Sequence, residues 1–222
     1  MSPIILPFKE KSVRCPDKNF ILYTATIEWL MREGISPNDV YVVTKSSVVI
    51  DFVHRKSRSF GFPVNVLRES DKSTCDLDSS AYAALGLNCK AYYMLSLASP
   101  FRSSGLLKSM ASMLSDNFDT YDFVTTYENV TDRSLFYIDE KGQFKRESRH
   151  RRGSMCPVER MLDGSAYLIK TDFAKEFISG DTNTVNHSFW SGKFGCVKNY
   201  THFFIDVDTP DDMLRYKLLA SK

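Results

Sequence analysis

Two acids separated by one residue, Asp206 and Asp208, interrupt an apolar run that turns directly into a helix: Phe203-Phe204-Ile205-Asp206-Val207-Asp208-Thr209-Pro210-Asp211-Asp212. Read as a strand over residues 201–207, the run places alternate side chains on one face, so both carboxylates project together from its end. Carboxylates held that close repel each other unless a cation lies between them. Mg²⁺ is commonly bound by one or two carboxylates together with substrate phosphate oxygens. Helix initiation explains part of the pattern without chemistry: Thr209 suits an N-cap, Pro210 the first helical position and Asp212 the acid of a capping box. It does not explain Asp206 inside the apolar run, which a metal site does.

A second concentration of charge follows the first apolar run, in Pro7-Phe8-Lys9-Glu10-Lys11-Ser12-Val13-Arg14-Cys15-Pro16-Asp17-Lys18-Asn19. Lys9, Lys11, Arg14 and Lys18 converge there, with Ser12 and Asn19 as neutral hydrogen-bonding groups. Such a loop at a strand end suits a polyphosphate, because hydrogen bonds from cations to phosphate are stronger than neutral ones. The spacing equally fits a solvated charged loop. It contains neither G-x-x-x-x-G-K-[ST] nor G-x-G-x-x-G, so it is not a Walker A loop or a dinucleotide fingerprint.

The elements that must position these groups alternate. Strand patterns at 4–7, 40–44, 64–67, 91–97, 123–127 and 164–169 are separated by helical ones at 24–33, 47–56, 78–87, 105–115 and 172–178. Near-continuous apolar strands in βα order predict an α/β fold, a mostly parallel, Rossmann-like sheet with helices on both faces. Ligands of such sheets sit at the carboxyl ends of the strands. The rhythm breaks near residue 130, where two short apolar runs flank Lys141-Gly142 as a hairpin and a basic stretch follows. We read 1–222 as a single domain with an arm inserted at about 130–160.

Composition excludes several classes. The chain has 222 residues, 43% hydrophobic and 25% charged, with a net charge of +2, ordinary for a soluble globular domain. Five cations against Glu147 concentrate positive charge at 145–152, leaving the rest slightly acidic. This is not the basic face of a general nucleic-acid binder, and no aromatic platform interleaves these cations. No apolar run is long enough to span a membrane. Cys15, Cys75, Cys89, Cys156 and Cys196 form no C-x-x-C pair, which suits reduced thiols in the cytoplasm. The four histidines have no metal-ligand spacing. Trp29 falls in a helical pattern and reads as core; Phe189-Trp190 either packs or lines a substrate pocket.

Several motifs, in order, carry a resemblance. Pro7, Lys9, Ser12, Arg14, Pro16, Lys18 and Asn19 resemble the N-terminal signature of the CMP-sugar synthetases, the cytidylyltransferases of sialic acids and of KDO. Arg14-Cys15-Pro16 is similar to the KDO type and Lys18-Asn19 to the sialic type. Residues 41–46 resemble the strand ending in S-T-D, and Leu67-Arg68 and Ser79 resemble residues that hold the nucleoside. Leu95-Ser96-Leu97-Ala98-Ser99-Pro100-Phe101-Arg102 resembles L-Q-P-T-S-P-L-R, Tyr121-Asp122-Phe123-Val124 resembles Y-D-S-V, and Asp163-Gly164-Ser165-Ala166-Tyr167 resembles N-G-x-x-Y. Residues 206–212 resemble I-D-I-D-T-P-E-D, the family's metal aspartates. The likeness spans nearly the whole chain.

The resemblance implies a nucleotidyltransferase-type sheet, a dimerisation arm with a homodimer, and transfer of CMP from CTP to a small acidic acceptor with Mg²⁺ as cofactor. It implies catalytic roles for Lys18, Asp206 and Asp208, the two aspartates holding the metal. Lys9, Ser12, Arg14, Lys18, Asn19, Arg68 and Ser79 would bind nucleotide, and Ser96, Ser99, Arg102 and Tyr167 the acceptor. The chain departs from the pattern at Lys9 for arginine, at Glu10-Lys11 for glycines, at Lys45 for aspartate, and at Ser96 and Ala98 for Gln and Thr. The nucleotide half therefore matches better than the acceptor half. Two other readings stay open: a glycosyltransferase using Asp206 and Asp208 as its D-x-D, and a family member that binds nucleotide without turnover.

Overall fold

The computed structural model describes residues 2–130, 136–138, 144–146, 159–178, 181–201 and 205–221. Seven strands form one sheet in the order β3-β2-β1-β4-β8-β5-β9: β1 (Ile4–Pro7), β2 (Val40–Thr44), β3 (Asn65–Arg68), β4 (Ala91–Leu95), β5 (Phe123–Val130), β8 (Glu159–Lys170) and β9 (Phe194–Lys198). Strand β8 runs antiparallel to β4 and β5, and the other neighbours pair in parallel. The expected mostly parallel α/β sheet is thus observed. β6 (Phe136–Ile138) and β7 (Phe144–Arg146) pair antiparallel in a separate two-stranded sheet, where the hairpin was expected; its turn, and residues 147–158 with most of the basic run, lie outside the described residues.

Alternation along the strands explains why both faces are covered. Ile4 and Leu6, Val40 and Val42, Tyr93 and Leu95, and Val124 belong to one core, with α1 (Lys18–Arg32), α2 (Ser47–Phe60) and α4 (Leu106–Asp116). Their neighbours Ile5, Val43, Tyr92, Met94, Phe123 and Ile169 face a second core under α3 (Asp76–Gly86), α5 (Thr171–Phe177) and α6 (Thr182–Ser191). A two-residue period in side-chain direction thus lets each uninterrupted apolar strand serve two cores. A third cluster, with Cys15, Leu22, Val207, Met213 and Tyr216, docks α7 (Pro210–Ala220) against α1.

Three local expectations are corrected. The last strand is not residues 201–207: Ile205, Asp206 and Val207 lie outside any strand, and residues 202–204 are not among those described. The sheet instead ends at β9, which pairs with β5 from Phe123↔Phe194 to Tyr127↔Lys198. Gly195 hides this strand in the sequence, and it is required there. A Cβ at Gly195 would sit 2.7 Å from both Met113 Sδ and the Tyr121 ring. Helix α6 was also not foreseen, since Thr, Asn, His and Ser dilute its apolar stripe; Asp181 starts it by accepting from Thr184 N at 2.9 Å. Helix α7 begins as expected: Asp212 N donates to Thr209 Oγ1 at 3.2 Å and Thr209 N to Asp212 Oδ2 at 2.9 Å, with Pro210 in the first turn. Among the described residues no helix is long and apolar enough to cross a membrane.

Candidate active site

Strand β1 delivers the cationic loop to the carboxyl edge of the sheet. Phe8 N donates to Val43 O at 2.9 Å, and the buried Phe8 ring packs on Phe20 and Tyr23 with centroids 5.2 and 5.5 Å apart. With its base anchored, the loop lifts away, so that Lys9, Lys11, Val13 and Arg14 are exposed before α1 begins at Lys18. It borders a cleft of about 340 Å³ whose far wall is residues 96–98 together with Asp76 and Asp208.

Three of the cations of this cleft, Lys9, Arg14 and Lys18, have carboxylate or carbonyl partners within the chain. Lys18 is buried, and its Nζ donates to Val207 O at 2.7 Å and Asp208 Oδ1 at 2.9 Å. Arg14 Nη2 lies 2.7 Å from Asp208 Oδ2. Lys9 Nζ lies 2.9 Å from Asp76 Oδ1; burial works against its charge, but Asp76 outweighs burial and lifts its pKa above the ordinary lysine value. Asn19 Nδ2 donates to Lys9 O at 2.9 Å, and Ser46 Oγ donates to Glu10 Oε2 at 2.6 Å. Ser12 Oγ accepts weakly from Cys15 N at 3.4 Å. Lys9, Ser12, Arg14 and Lys18, the expected phosphate-side set, are brought together around one cleft with Asn19, expected with Arg68 and Ser79 at the nucleoside.

A smaller cleft of about 200 Å³ adjoins it through Pro7, Asp76 and Ser96, and adds Ser99, Tyr167 and Asp206. The two aspartates therefore face adjoining clefts, Asp206 the smaller and Asp208 the larger, from an irregular segment and not from a strand end. Partial burial raises the Asp206 carboxyl above the usual carboxylate range, and Asp208 adds to this while Lys18 and Arg14 oppose it. Burial pushes the Tyr167 phenol up to about 12, with Asp163 and Asp206 adding repulsion. The Tyr167 ring is held edge-on by Phe189, fully buried, and by Trp190, which is 41% exposed. Gly164 turns at φ +63°, where a Cβ would stand 3.3 Å from the Tyr167 hydroxyl.

Other expected ligands are placed elsewhere. Arg102 is buried and turned inward, with Nε donating to Ser165 O at 3.2 Å, Nη1 to Thr26 Oγ1 at 3.3 Å and Nη2 to Ser96 O. Its guanidinium also lies 5.5 Å from the Trp29 ring centre, and burial, eased by Asp163, lowers its pKa to about 10. Arg102 thus holds Ser96 and Ser165, and reaches the small cleft only through them. Arg68 and Ser79 line a third hollow of about 260 Å³ with Val43, Leu67 and Tyr82, sharing no residue with the other two. The buried Ser79 Oγ has no hydrogen-bond partner among the described residues. Residues that the sequence reading did not single out include Asp76, which stands between both clefts, and Asn199; each sits in a polar stretch that reads as a helix start or a loop.

The donor set suits a hard divalent cation in part. Two carboxylates, of which Asp206 is made costlier to ionise by burial and by Asp208 and has no hydrogen-bond donor among the described residues, are the kind of oxygen ligands Mg²⁺ takes. Both Asp208 oxygens are already paired, so a cation there displaces Arg14, whose side chain is 66% exposed and free to swing away. Among the described residues no cluster of three or more His, Cys, Asp or Glu could hold a metal.

The chain matches no protein-family model and no curated protein by sequence. Solved structures do share its fold. CMP:2-keto-3-deoxy-manno-octonic acid synthetase, complexed with CTP, superposes with a TM-score of 0.68 at 13% identity over 99% of this chain and 98% of that one. A cytidylyltransferase from Leptospira borgpetersenii gives 0.66 at 18% identity over 99% and 86%. HddC from Yersinia pseudotuberculosis, complexed with GMP-PN, gives 0.65 at 14% identity over 97% of each. At these identities the likeness establishes a common α/β nucleotidyltransferase fold, the one the motif resemblance implied.

Proposed function

We propose that the protein is a Mg²⁺-dependent cytidylyltransferase that moves CMP from CTP to a small acidic acceptor. The observation that carries this reading is the buried Lys18 ammonium, fixed between Val207 O and Asp208 Oδ1 where the N-terminal loop meets the chain entering α7. Similar folds solved with CTP or GMP-PN support a nucleotide in the adjoining cleft.

In this scheme the triphosphate enters the larger cleft against Lys9, Ser12, Arg14 and Lys18, with Asn19 beside the loop. Arg68 and Ser79 are assigned to the nucleoside on resemblance, as is the acidic character of the acceptor. An acceptor oxygen held near Ser96, Ser99 and Tyr167 attacks the α-phosphorus. The new O–P bond forms as the bridge to the β-phosphate breaks, and pyrophosphate leaves with the bond's electrons. Lys18 and Arg14 neutralise the charge that builds on the phosphoryl oxygens, the main contribution a protein makes to such transfers. Phosphate arriving at Arg14 replaces Asp208 as its partner, an exchange made easy because an exposed ion pair is worth at most about 1 kcal/mol. Mg²⁺ held by Asp206 and Asp208 would supply further neutralisation between phosphate and acceptor oxygens. A homodimer through the β6–β7 arm and a cytoplasmic setting complete the reading, the latter in keeping with free Cys15, Cys75, Cys89 and Cys196.

Pyrophosphate release from CTP and Mg²⁺ across a panel of sugar acids, phosphonates and phosphorylated small molecules tests it. Release that depends on an acceptor is expected. Hydrolysis of a sugar nucleotide would favour the glycosyltransferase, and tight CTP binding without release would favour a non-catalytic binder.

A further inference from the structure

A buried polar cluster that the reaction scheme does not use reaches the smaller cleft at Asp163, one of its lining residues. Asp163 and Asn199 are 5% and 2% exposed. Asp163 Oδ1 accepts from the Thr126 hydroxyl and from Ser165 N at 3.0 Å, and its Oδ2 accepts from Asn199 Nδ2 at 2.8 Å. A carboxylate offers acceptors on both oxygens, so donors can close on it from two sides. The Asn199 amide also donates to Phe101 O at 3.2 Å, while its Oδ1 accepts from Ser103 N at 2.9 Å. This fixes the amide's orientation: a flip would set Nδ2 against the Ser103 N–H and Oδ1 against the Asp163 carboxylate.

The chain that contains Asn199 returns to the same loop farther on. Val207 N donates to Ala98 O at 2.8 Å, and Val207 O accepts from Lys18. The loop after β4 is thus gripped at Phe101 and Ser103 by Asn199 and at Ala98 by Val207. Asp206, next to Val207, is thereby set against the wall formed by Ser96 and Ser99. We propose that Asn199, locked in orientation by Asp163, is a positioning residue that fixes Asp206 relative to this wall. The assignment rests on the transferase reading, whereas the mechanical part, control of residues 205–208, does not.

The test exchanges the two side chains in the full-length protein. Asn199→Asp opposes two carboxylates, and Asp163→Asn leaves an amide donor facing either Ser165 N–H or Asn199 Nδ2. The double variant Asp163→Asn/Asn199→Asp restores a donor opposite an acceptor between the two positions and keeps the acceptor for Ser103 N, giving up the donor to Phe101 O. Hydrogen–deuterium exchange at the Val207 and Ser103 amides should speed up about tenfold or more in each single variant and return in the double, while the β1 and β4 amides stay protected. With CTP, Mg²⁺ and whichever panel acceptor the wild type uses, kcat should fall about 100-fold in the single variants, the order of effect of a small misplacement. KM for CTP should change much less than kcat, since Asn199 touches no residue of the cationic loop and reaches Lys18 only through Val207. If Asn199→Asp fails to fold, Asn199→Ala removes the amide without adding charge and carries the same comparison. Unchanged exchange at Val207, no recovery in the double variant, or a loss of kcat matched by weaker CTP binding would overturn the proposal. A wild type inactive on the whole panel would sink the transferase reading instead, with the exchange data still deciding the brace.

Discussion

The two adjoining clefts share Pro7, Asp76 and Ser96 yet are built in opposite ways. Around the larger one, long and partly exposed side chains meet their partners directly in pairs such as Lys9–Asp76, each side chain 50% exposed, and Arg14–Asp208. Around the smaller one, short side chains are buried and their acceptors filled: Thr126, Asp163, Ser165 and Asn199 bond chiefly to one another and to backbone. Exposed ion pairs exchange partners readily, while a buried polar network is costly to disturb because each broken bond strands a group without water. Under the proposed function, the region that would release carboxylates to arriving phosphate is made of the first kind, and the region that would hold an acceptor in register is made of the second.

Asp206 lines the smaller cleft two residues from Asp208 of the larger one, and its replacement should have the largest effect. Asp206→Asn is expected to lower turnover by about two to three decades, the scale of losing one transition-state charge partner. The same change should stabilise the metal-free protein at neutral pH. An acid whose pKa is raised in the folded state loses stability on ionising, fully above its folded pKa and not at all below its ordinary value of 3.8. The melting-temperature advantage of Asn should therefore be present at pH 7–8 and vanish as pH approaches 4. An active Asp206→Asn enzyme, or one destabilised at pH 7, would place Asp206 with the fixed wall and blur the contrast.

Arg102 tests the wall from the other side. The resemblance puts it among acceptor ligands, but its nitrogens face Ser165 O, Thr26 Oγ1 and Ser96 O. Arg102→Met should cost about 2–4 kcal/mol of stability, as for removing a buried charged donor from several acceptors, read as a shift in the urea midpoint. A change in acceptor KM with the midpoint untouched would return Arg102 to the role of a ligand.

These outcomes also show what one sequence discloses. The α/β order was legible because strands buried on both faces are apolar at every position, as in Val40–Thr44 and Ala91–Leu95. The cationic loop was legible because its charges are neighbours in the chain. Strand β9 was not, since the close approach of Met113 and Tyr121 demands a glycine at its second position. Nor was the inward turn of Arg102, because an arginine in a polar loop looks the same in sequence whether it faces solvent or Trp29. The Asp163–Asn199 contact joins residues 36 apart, and no local pattern announces it. Sequence reading thus found the exchangeable cleft, whose residues are local, and missed the brace, whose residues meet only in the fold.

The smallest effect probes the exchangeable side alone. Asp76 borders both clefts and engages Lys9, the residue that replaces the resembling family's arginine. Asp76→Asn removes the countercharge but keeps the shape, leaving the Lys9 ammonium for phosphate. Because a pair with both partners half exposed is worth about 0.2–1 kcal/mol, CTP should bind roughly two- to fivefold more tightly, measured by calorimetry at low ionic strength. The gain should shrink as salt is raised, since screening weakens exposed charges most. Weaker binding in Asp76→Asn would mean that the Lys9–Asp76 pair shapes the loop and does not merely occupy it, and the larger cleft would then share the rigidity of its neighbour.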